Sequence, residues 1–263
     1  MSGYEGPFRQ GSPLSPGPRP HLPPSIPEEE WEEDSPGPVR VRVIRPEDIP
    51  AVIALSRGVY GAEGAWYTRE LIAHQRVFPE GQLVAVHRES REPVGFAITL
   101  LLEARRFGIQ ANWNQLTGGG TLRTHDPERG DVLYGAGIAV DPKARGMGVG
   151  RLLYQAREAM AERLGVDRIR AGARIPGYGA VHRIMDPFRY VQEVVEGKRR
   201  DPTLSFQLHM GFNVLGVALN YLPLDRESRG HAAVVEWRRP PSRSLSAPEE
   251  DHQENHDHQE AAP

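Results

Sequence analysis

The residues with the clearest chemical potential are three alternating glycines, Gly146, Gly148 and Gly150, which lie between two arginines. Glycine inside a helix costs about 0.5–1 kcal/mol relative to alanine, yet the residues that follow have helical spacing. Glycines let backbone N–H groups approach a ligand closely, and the first turn of a helix has N–H groups without an internal partner. Arg145 and Arg151 add positive charge. The pattern therefore predicts a phosphate or pyrophosphate site at a helix N-terminus, and the alternative is an ordinary glycine-rich turn.

Two familiar phosphate-binding loops do not fit this spacing. A P-loop needs Gly-Lys-Ser/Thr, whereas Gly150 is followed by Arg151 and Leu152. A dinucleotide-binding fingerprint needs G-x-G-x-x-G, whereas these glycines follow G-x-G-x-G with an arginine directly before them. Residues 145–150 instead read R-x-x-G-x-G.

The segments on either side of the turn have the patterns of a strand and a helix. A strand is predicted over 132–140, and its Gly135 and Gly137 indicate a bulge or a close approach by another backbone or a ligand. Apolar residues at three- and four-residue steps predict a helix after the turn, and Gly165 is placed to end it. The other predicted elements are strands over 39–45, 82–86, 93–100, 168–175, 214–222 and 232–237, a helix that opens at Pro46 and runs through Leu55, and a short helix that Asp201 caps and Gly211 ends.

The motif and the order of the elements together resemble one enzyme family. R-x-x-G-x-G at 145–150 and the pair Gly211-Phe212 before the penultimate strand are similar to signatures of the GCN5-related N-acetyltransferases (GNAT). The resemblance extends from about Val39 to Arg239. It implies an α+β architecture, the GNAT acyl-CoA N-acyltransferase fold, in which helices flank a mixed, mostly antiparallel twisted sheet.

Four further stretches resemble a narrower group: FPEGQLVAV, LTGGGTLRTHDPERGDVLYGAGIAVDP, RIRAGARIPGY and DPTLSFQLHMGF. They are similar to the acetyltransferase portion of proteins in which that domain is fused to a carbon–nitrogen hydrolase (nitrilase-like) domain. Only a short polar segment follows Arg239, so we expect no hydrolase activity in this chain. The resemblance leaves a separate hydrolase chain and a homodimer as candidate partners.

The resemblance also implies acetyl-CoA as the co-substrate, without a metal. In the family, the backbone of the strand before the glycine turn binds the pantetheine arm, and the turn cradles the pyrophosphate with its amides. The residues that match these positions are Ile138, Ala139, Val140, Arg145, Gly146, Met147, Gly148, Val149, Gly150 and Arg151.

Acyl transfer by direct attack of an amine needs a base for the ammonium proton and an acid for the leaving thiolate. The family often places a glutamate on the fourth strand and a tyrosine before the G-F pair, but Gly137 and Gln207 hold those positions here. Three residues are candidate substitutes: His209 near a helix end, Glu103 after the third strand, and Tyr221, predicted on the penultimate strand. Helix capping, solvation and core packing are the respective alternatives.

Composition excludes several classes of protein. At 263 residues and 38% hydrophobic, the chain can bury one sizeable core, and the absence of cysteine excludes a disulfide framework or a cysteine nucleophile. No apolar run or leader-like N-terminus is visible, so we expect a cytoplasmic protein that does not bind membranes. A net charge of −3 gives no general attraction to nucleic acid, and the short basic runs at 198–200 and 238–239 are typical of solvated faces.

The chain divides into three predicted parts. Residues 1–38 are rich in proline and acidic residues, and residues 240–263 are rich in acidic residues and histidine, so we expect disordered tails at both ends. Residues 39–239 form the predicted GNAT domain. Two of its stretches, 103–130 and 176–200, exceed what a minimal acetyltransferase needs, and we expect them to wall the acceptor site.

Two functional hypotheses remain. The first is an acetyl-CoA-dependent N-acetyltransferase that acts on a primary amine, either a small molecule or a protein amino group. The second is a non-catalytic acyl-CoA sensor or docking module, because the predicted cradle is complete while the usual acid and base are replaced.

Overall fold

A computed structural model describes residues 37–240, so the predicted tails lie almost entirely outside the described residues. Within this range, no helix is both long and apolar enough to cross a membrane. The same range contains no cluster of three or more histidine, aspartate or glutamate side chains arranged to hold a metal ion.

The described residues form strands and helices in the predicted order, with additions. The strands are β1 (Val39–Val43), β2 (Gln82–His87), β3 (Pro93–Leu102), β4 (Val132–Val140), β5 (Arg168–Arg174), β6 (Asn213–Ala218) and β7 (Ala232–Arg238). The helices are α1 (Ile49–Gly64), α2 (Thr68–Val77), α3 (Trp113–Thr117), α4 (Val149–Arg163), α5 (Pro187–Val195) and α6 (Leu204–His209).

The strands form one sheet in the order β1-β2-β3-β4-β5-β7-β6. Only β4 and β5 pair in parallel, and the other neighbours are antiparallel. The parallel pair is joined by α4, because a parallel connection needs a crossover and α4 supplies it. The predicted mixed, mostly antiparallel sheet is thereby confirmed.

Each face of the sheet buries its own apolar core. On one face, Ala97 and Leu101 of β3 pack in a cluster with Leu153 and Met160 of α4, and α5 and α6 add to it. On the other face, side chains of β2, β3 and β4 pack against α1, α2 and α3. Covering both faces protects the central strands from water, which explains why β3 is apolar almost throughout.

The residues predicted to end α4, and to cap and end α6, do so in the structure. Gly165 has φ +65° just after α4, a conformation that favours glycine and ends the helix. Asp201 accepts hydrogen bonds from the amides of Thr203 (3.0 Å) and Leu204 (2.9 Å), which satisfies the first turn of α6. Gly211, with φ +85°, follows the end of that helix.

Three features differ from the prediction. The helix predicted from Pro46 through Leu55 begins at Ile49, after a 3-10 turn over Pro46–Asp48, and continues to Gly64 with a kink at Gly61 (φ +76°); α2 then follows as a further helix. The strand predicted over 214–222 ends at Ala218, and the chain turns at Asn220 (φ +53°), so Tyr221 lies in the connection to β7. The two long stretches contain helices of their own, α3 and α5.

Candidate active site

The glycine turn between β4 and α4 has a backbone conformation that favours glycine. Gly146 and Gly148 have φ of +84° and +77°, and a Cβ on either would meet no atom within 4 Å. Backbone conformation, not crowding, therefore explains these two glycines. Gly150 differs, because a Cβ there would lie 3.2 Å from Cζ of Phe206. Its missing side chain lets α6 approach the first turn of α4.

The turn exposes a row of backbone N–H groups. Those without an acceptor in the described part of the chain belong to Gly146, Gly148, Val149, Gly150 and Arg151. The amides of Arg145 and Met147 bond instead to the carbonyls of Pro142 (3.4 Å) and Ala144 (3.3 Å). Five of the six predicted cradle amides thus have no acceptor among the described residues, while the amides of Met147 and Arg145 hold the turn in shape.

Charge at the turn favours an anion. The side chains of Arg145 and Arg151 are exposed, and neither forms an ion pair or hydrogen bond with a described residue. The N-terminus of α4 adds the positive end of its dipole. Free amides, a helix N-terminus and two guanidinium groups without a described partner have together the chemistry that suits a phosphate or pyrophosphate.

β4 and β5 separate next to this turn. Their pairing ends where Gly135 lies opposite Ala171, while β4 continues along β3 to Val140. We call the resulting gap between β4 and β5 the splay. Within it, the hydroxyl of Tyr60 from α1 accepts a hydrogen bond from the N–H of Ile138 (3.2 Å) and donates one to the carbonyl of the same residue. The splay therefore offers backbone hydrogen-bonding groups of β4 that no neighbouring strand uses.

A second tyrosine approaches the splay from the other face of the sheet. Tyr154 of α4 is buried, and its hydroxyl accepts a hydrogen bond from Nε2 of Gln207 (2.8 Å). Tyr60 and Tyr154 are near enough to interact electrostatically. Burial raises the pKa of Tyr60 to about 12. Burial also raises the pKa of Tyr154, and the positive charge of Arg157 opposes that rise.

Arg157 fills the β-bulge between β3 and β4. Its Nη2 donates to the carbonyls of Ile98 (3.0 Å) and Gly137 (2.5 Å), and Nε donates to Oγ1 of Thr99 (3.2 Å). The side chain is buried, and no carboxylate of the described residues pairs with it, so burial lowers the pKa of this arginine. A Cβ on Gly135 would lie 3.0 Å from Nη1 of Arg157. The predicted bulge is confirmed between the pairs Ile98–Gly137 and Thr99–Gly135, and the group that approaches Gly135 is a side chain, not a backbone or a ligand.

Gly137, where the resemblance expects a glutamate, faces the indole of Trp66. A Cβ on Gly137 would lie 3.3 Å from Cζ2 and Nε1 of that ring. Trp113, from the stretch 103–130, lies 5.2 Å from Trp66 between ring centroids and donates a hydrogen bond from Nε1 to the carbonyl of Ala136 (2.8 Å). Two tryptophans thus cover this part of β4 and crowd the position where a side chain of residue 137 would begin.

Tyr221 lies beside the splay, although the predicted strand placement was wrong. Its hydroxyl is hydrogen-bonded to the hydroxyl of Tyr134 and to the backbone of Gly172, just beyond the last β4–β5 pair. Burial raises the pKa of Tyr221 above its ordinary value. The tertiary fold holds this tyrosine near the splay through side-chain contacts with β4 and β5.

The other two candidate catalytic residues lie apart from the splay. Glu103 follows β3 where Leu102 pairs with Val132, at the opposite end of β4 from the glycine turn, and forms an ion pair with Arg105. His209 is the last residue of α6, and its side chain is exposed. The buried residue of α6 that is nearest to His209 in sequence is Gln207.

Sequence reasoning missed Tyr60, Tyr154 and Arg157. Arg157 carried a usable signal, because it follows Ala156 on a helix whose apolar stripe is buried, and a charge there requires special partners. Tyr154 lies one turn before this position. Tyr60 carried no such signal, since it meets Ile138 across 78 residues of chain.

Comparison with known proteins agrees with this geometry. The profile described as "Acetyltransferase (GNAT) family" matches residues 60–183. The chain is 35% identical over 197 residues to "Probable hydrolase YhcX" of Bacillus subtilis (strain 168). This match covers 75% of this chain and 38% of YhcX. The chain is 31% identical over 173 residues to "Uncharacterized N-acetyltransferase YkwB" of the same organism, which covers 66% of this chain and 75% of YkwB. The chain therefore spans well under half of YhcX but most of YkwB.

Two solved structures share the fold over most of their length. The "GphF GNAT-like decarboxylase in complex with isobutyryl-CoA" is 26% identical, with a TM-score of 0.63, and the match covers 76% of this chain and 98% of that chain. The loading GNATL domain of CurA from Lyngbya majuscula is 21% identical, with a TM-score of 0.65 over 76% of this chain and 97% of that one. These two likenesses show the fold, and the match to YkwB shows the family. The chain belongs to the acetyltransferase (GNAT) family of acyltransferases.

Proposed function

We propose that this protein transfers an acetyl group from acetyl-CoA to a primary amine of a small molecule or a protein. The row of five free amides at the N-terminus of α4, which opens directly onto the splay, is the observation that carries this proposal. Such a row suits a pyrophosphate, and the unpaired backbone of β4 suits the amide groups of a pantetheine arm. Acyl-CoA joins these two chemistries in one molecule.

Two groups of residues would hold the two parts of the acyl donor. Arg145 and Arg151, with the free amides, would hold the pyrophosphate. The peptide groups of β4 from Ile138 to Val140 would hold the arm, and Tyr60 would then give up its hydrogen bonds to Ile138 or share them. Bound acyl-CoA supplies the activated thioester, and these residues orient it toward the face covered by Trp66 and Trp113.

A small apolar cavity reaches the start of the splay and favours a short acyl group over a long one. It has room for about one water-sized group, roughly 20 Å³. Gly172 and the hydrogen-bonded pair Tyr134 and Tyr221 line it beside the splay, and it extends along β4 to Leu102 and Val132.

The test is calorimetric titration of the purified full chain with acetyl-CoA, followed by an assay of thiol release with a panel of amines. We expect micromolar binding and release of CoA with at least one amine. The double variant R145A/G148E should bind at least about 100-fold more weakly, because it removes a cation and adds a strained carboxylate at the cradle. K143A is the matched control, since Lys143 precedes the turn and contributes no cradle amide.

Each outcome separates the hypotheses. Binding with turnover supports the acetyltransferase. Binding without turnover over a broad amine panel favours the acyl-CoA sensor or docking module. Absence of binding by the wild-type chain contradicts both and would leave the glycine turn as a structural feature.

A second candidate activity is decarboxylation of a carboxyacyl-CoA. Hydroxyl and guanidinium donors of Tyr60, Tyr154 and Arg157 lie at the splay, and no carboxylate base of residues 37–240 joins them there. Loss of CO₂ needs donors for the developing thioester enolate and needs no base to activate an amine. GphF, 26% identical, is described as a decarboxylase. Release of CO₂ from malonyl-CoA without an amine would favour this reaction over acetyl transfer.

We also propose a cytoplasmic location and two candidate partners. The similarity to part of YhcX, described as a probable hydrolase, supports a carbon–nitrogen hydrolase on a separate chain as one of them. A second copy of this chain is the other. Light scattering on the purified protein, alone and with a purified hydrolase chain of that class, distinguishes a monomer, a homodimer and a mixed complex.

A further inference from the structure

The hydroxyl of Tyr154 is a proton donor without an acceptor. It receives a hydrogen bond from Nε2 of Gln207 (2.8 Å), and no described residue accepts its own proton. The ring centroids of Phe206 and Phe212 lie 5.9 and 5.3 Å from that of Tyr154, and Cζ of Arg157 lies 5.6 Å from it. The ring is thus fixed on three sides. A buried O–H group with a fixed ring and no acceptor has an unfilled hydrogen-bonding capacity.

Gln207 has a matching unfilled group. Its side chain is 4% exposed, and Oε1 is buried without a hydrogen-bond partner. A glutamine in a core normally uses both ends of its amide, because an unpaired buried oxygen costs about 1–3 kcal/mol. The pair Tyr154–Gln207 thus leaves one donor and one acceptor for a molecule that enters the splay.

The buried charge of Arg157 favours an anion at the same place. This guanidinium bonds to two carbonyls and a hydroxyl but to no carboxylate. A cation buried without a counter-ion stabilises any negative charge that forms nearby. Tyr154 is one of three tyrosines that interact electrostatically with it, and Tyr60, another of the three, bonds to Ile138 within the splay.

We propose that Tyr154 gives its proton to the thiolate that leaves during acyl transfer, and that Gln207 is a positioning residue for its hydroxyl. This inference rests on the proposed function. The acceptor nitrogen forms a bond to the acyl carbon, the C–S bond breaks, and the sulfur takes the proton of the Tyr154 hydroxyl. The tyrosinate regains a proton from the ammonium nitrogen through water, so the products are the amide and CoA with a free thiol. Arg157 stabilises the negative charge while it passes from sulfur to oxygen.

The experiment uses CoA itself, so it does not depend on the identity of the acceptor. The thiol of CoA bound to the full chain is titrated with pH by the ultraviolet absorbance of the thiolate. In the wild type, we expect the bound thiol to ionise at a lower pH than in Tyr154→Phe, by about one pH unit, because the hydroxyl donates to the thiolate. Tyr178→Phe is the matched control, since this tyrosine is also buried but its ring packs against His182, Tyr190 and His231 instead.

Kinetics with acetyl-CoA and a reactive amine give the second measurement. Tyr154→Phe should lower kcat by about 100-fold and leave the Kd of acetyl-CoA within about twofold. Gln207→Leu, which keeps the volume and removes the amide, should lower kcat about tenfold and shift the pH profile. Thermal melts of each variant identify any loss that comes from unfolding.

The outcomes separate this inference from the proposed function. If the wild type turns over and Tyr154→Phe keeps its kcat and its thiol titration, the tyrosine has no role as an acid. If CoA binds but no amine reacts, the thiol titration alone decides whether Tyr154 donates to sulfur. If neither CoA nor acetyl-CoA binds, the proposed function fails, and the inference fails with it.

Discussion

At the scale of single residues, the packing around Gly137 gives a physical reason why this position lacks the glutamate that the family often has there. A Cβ on this residue would lie 3.3 Å from the indole of Trp66, which is tighter than ordinary van der Waals contact. The bulge that contains this stretch of β4 is filled from the other face by Arg157, which bonds to the Gly137 carbonyl. An aromatic ring and a guanidinium thus crowd this backbone from both sides.

Gly137→Ala should therefore destabilise the protein. We expect a loss of about 1–3 kcal/mol in the free energy of unfolding, because the new methyl group must displace a packed ring. In a Trp66→Phe background the same change should cost less, with a coupling energy of about 1 kcal/mol. Urea unfolding of the four proteins in this cycle measures both quantities.

Gly58→Ala is the matched control for this prediction. Gly58 lies within α1, and a Cβ there would meet no atom within 4 Å. Alanine should stabilise the protein by about 0.5–1 kcal/mol at such a helical position. Equal effects of the two Gly→Ala changes would contradict the packing explanation of Gly137.

At the scale of elements, short helices depend on side chains beyond their own ends. The carboxylate of Asp201 accepts from the amides of Thr203 and Leu204 at the start of α6, and also from the amide of Gly177 (3.0 Å) and the hydroxyl of Tyr190 (2.9 Å). It is fully buried. One residue thus joins α6 to α5 and to the loop after β5, and so fixes the helix that carries Gln207.

Asp201→Ala should cost about 3 kcal/mol in the free energy of unfolding, because it leaves several buried donors without an acceptor. Asp186→Ala is the comparison. Asp186 caps α5 through the amides of Phe188 and Arg189 (both 3.0 Å) but is exposed, so water replaces it and the expected cost is about 1 kcal/mol. Chemical unfolding curves measure both, and similar costs would contradict the linking role of Asp201.

At the scale of the whole molecule, a buried and a half-buried histidine link stability to pH. Nε2 of His74 hydrogen-bonds to the carbonyl of Gly120 (2.7 Å), and the amide of Leu101 donates to Nδ1 of His125 (3.0 Å). Burial lowers the pKa of each to about 4, below the ordinary value of 6.5. Both histidines hold the stretch 103–130 and its surroundings against the sheet in their neutral form.

Stability should therefore fall in acid. A histidine with a lowered folded-state pKa binds its proton more readily in the unfolded chain, so its contribution is complete above about pH 6.5 and is lost between about pH 6.5 and 4. For His74 the loss amounts to roughly 3 kcal/mol. Urea unfolding at pH 7, 6 and 5 measures the slope.

His74→Gln/His125→Gln tests the origin of that slope. The double variant should be less stable than the wild type near neutral pH and should lose less stability between pH 7 and 5. A slope as steep as that of the wild type would show that other groups cause the acid sensitivity.

The sequence by itself determined the order of the strands and main helices and the glycine turn, because these depend on local signals. Alternation, helical spacing and the capping residues Asp201, Gly165 and Gly211 act over a few residues, so each can be recognised without the fold. The R-x-x-G-x-G motif is local in the same way, and it indicates the family and the candidate cofactor residues without the fold.

Only the tertiary structure decided which side chains line the splay. Tyr60 reaches Ile138 from another helix, and Gln207 meets Tyr154 across 53 residues of chain. The placement of Tyr221 off its predicted strand depends on a turn at Asn220 that no local pattern indicated. Such contacts form between residues far apart in sequence and depend on packing and burial, which a linear pattern does not record.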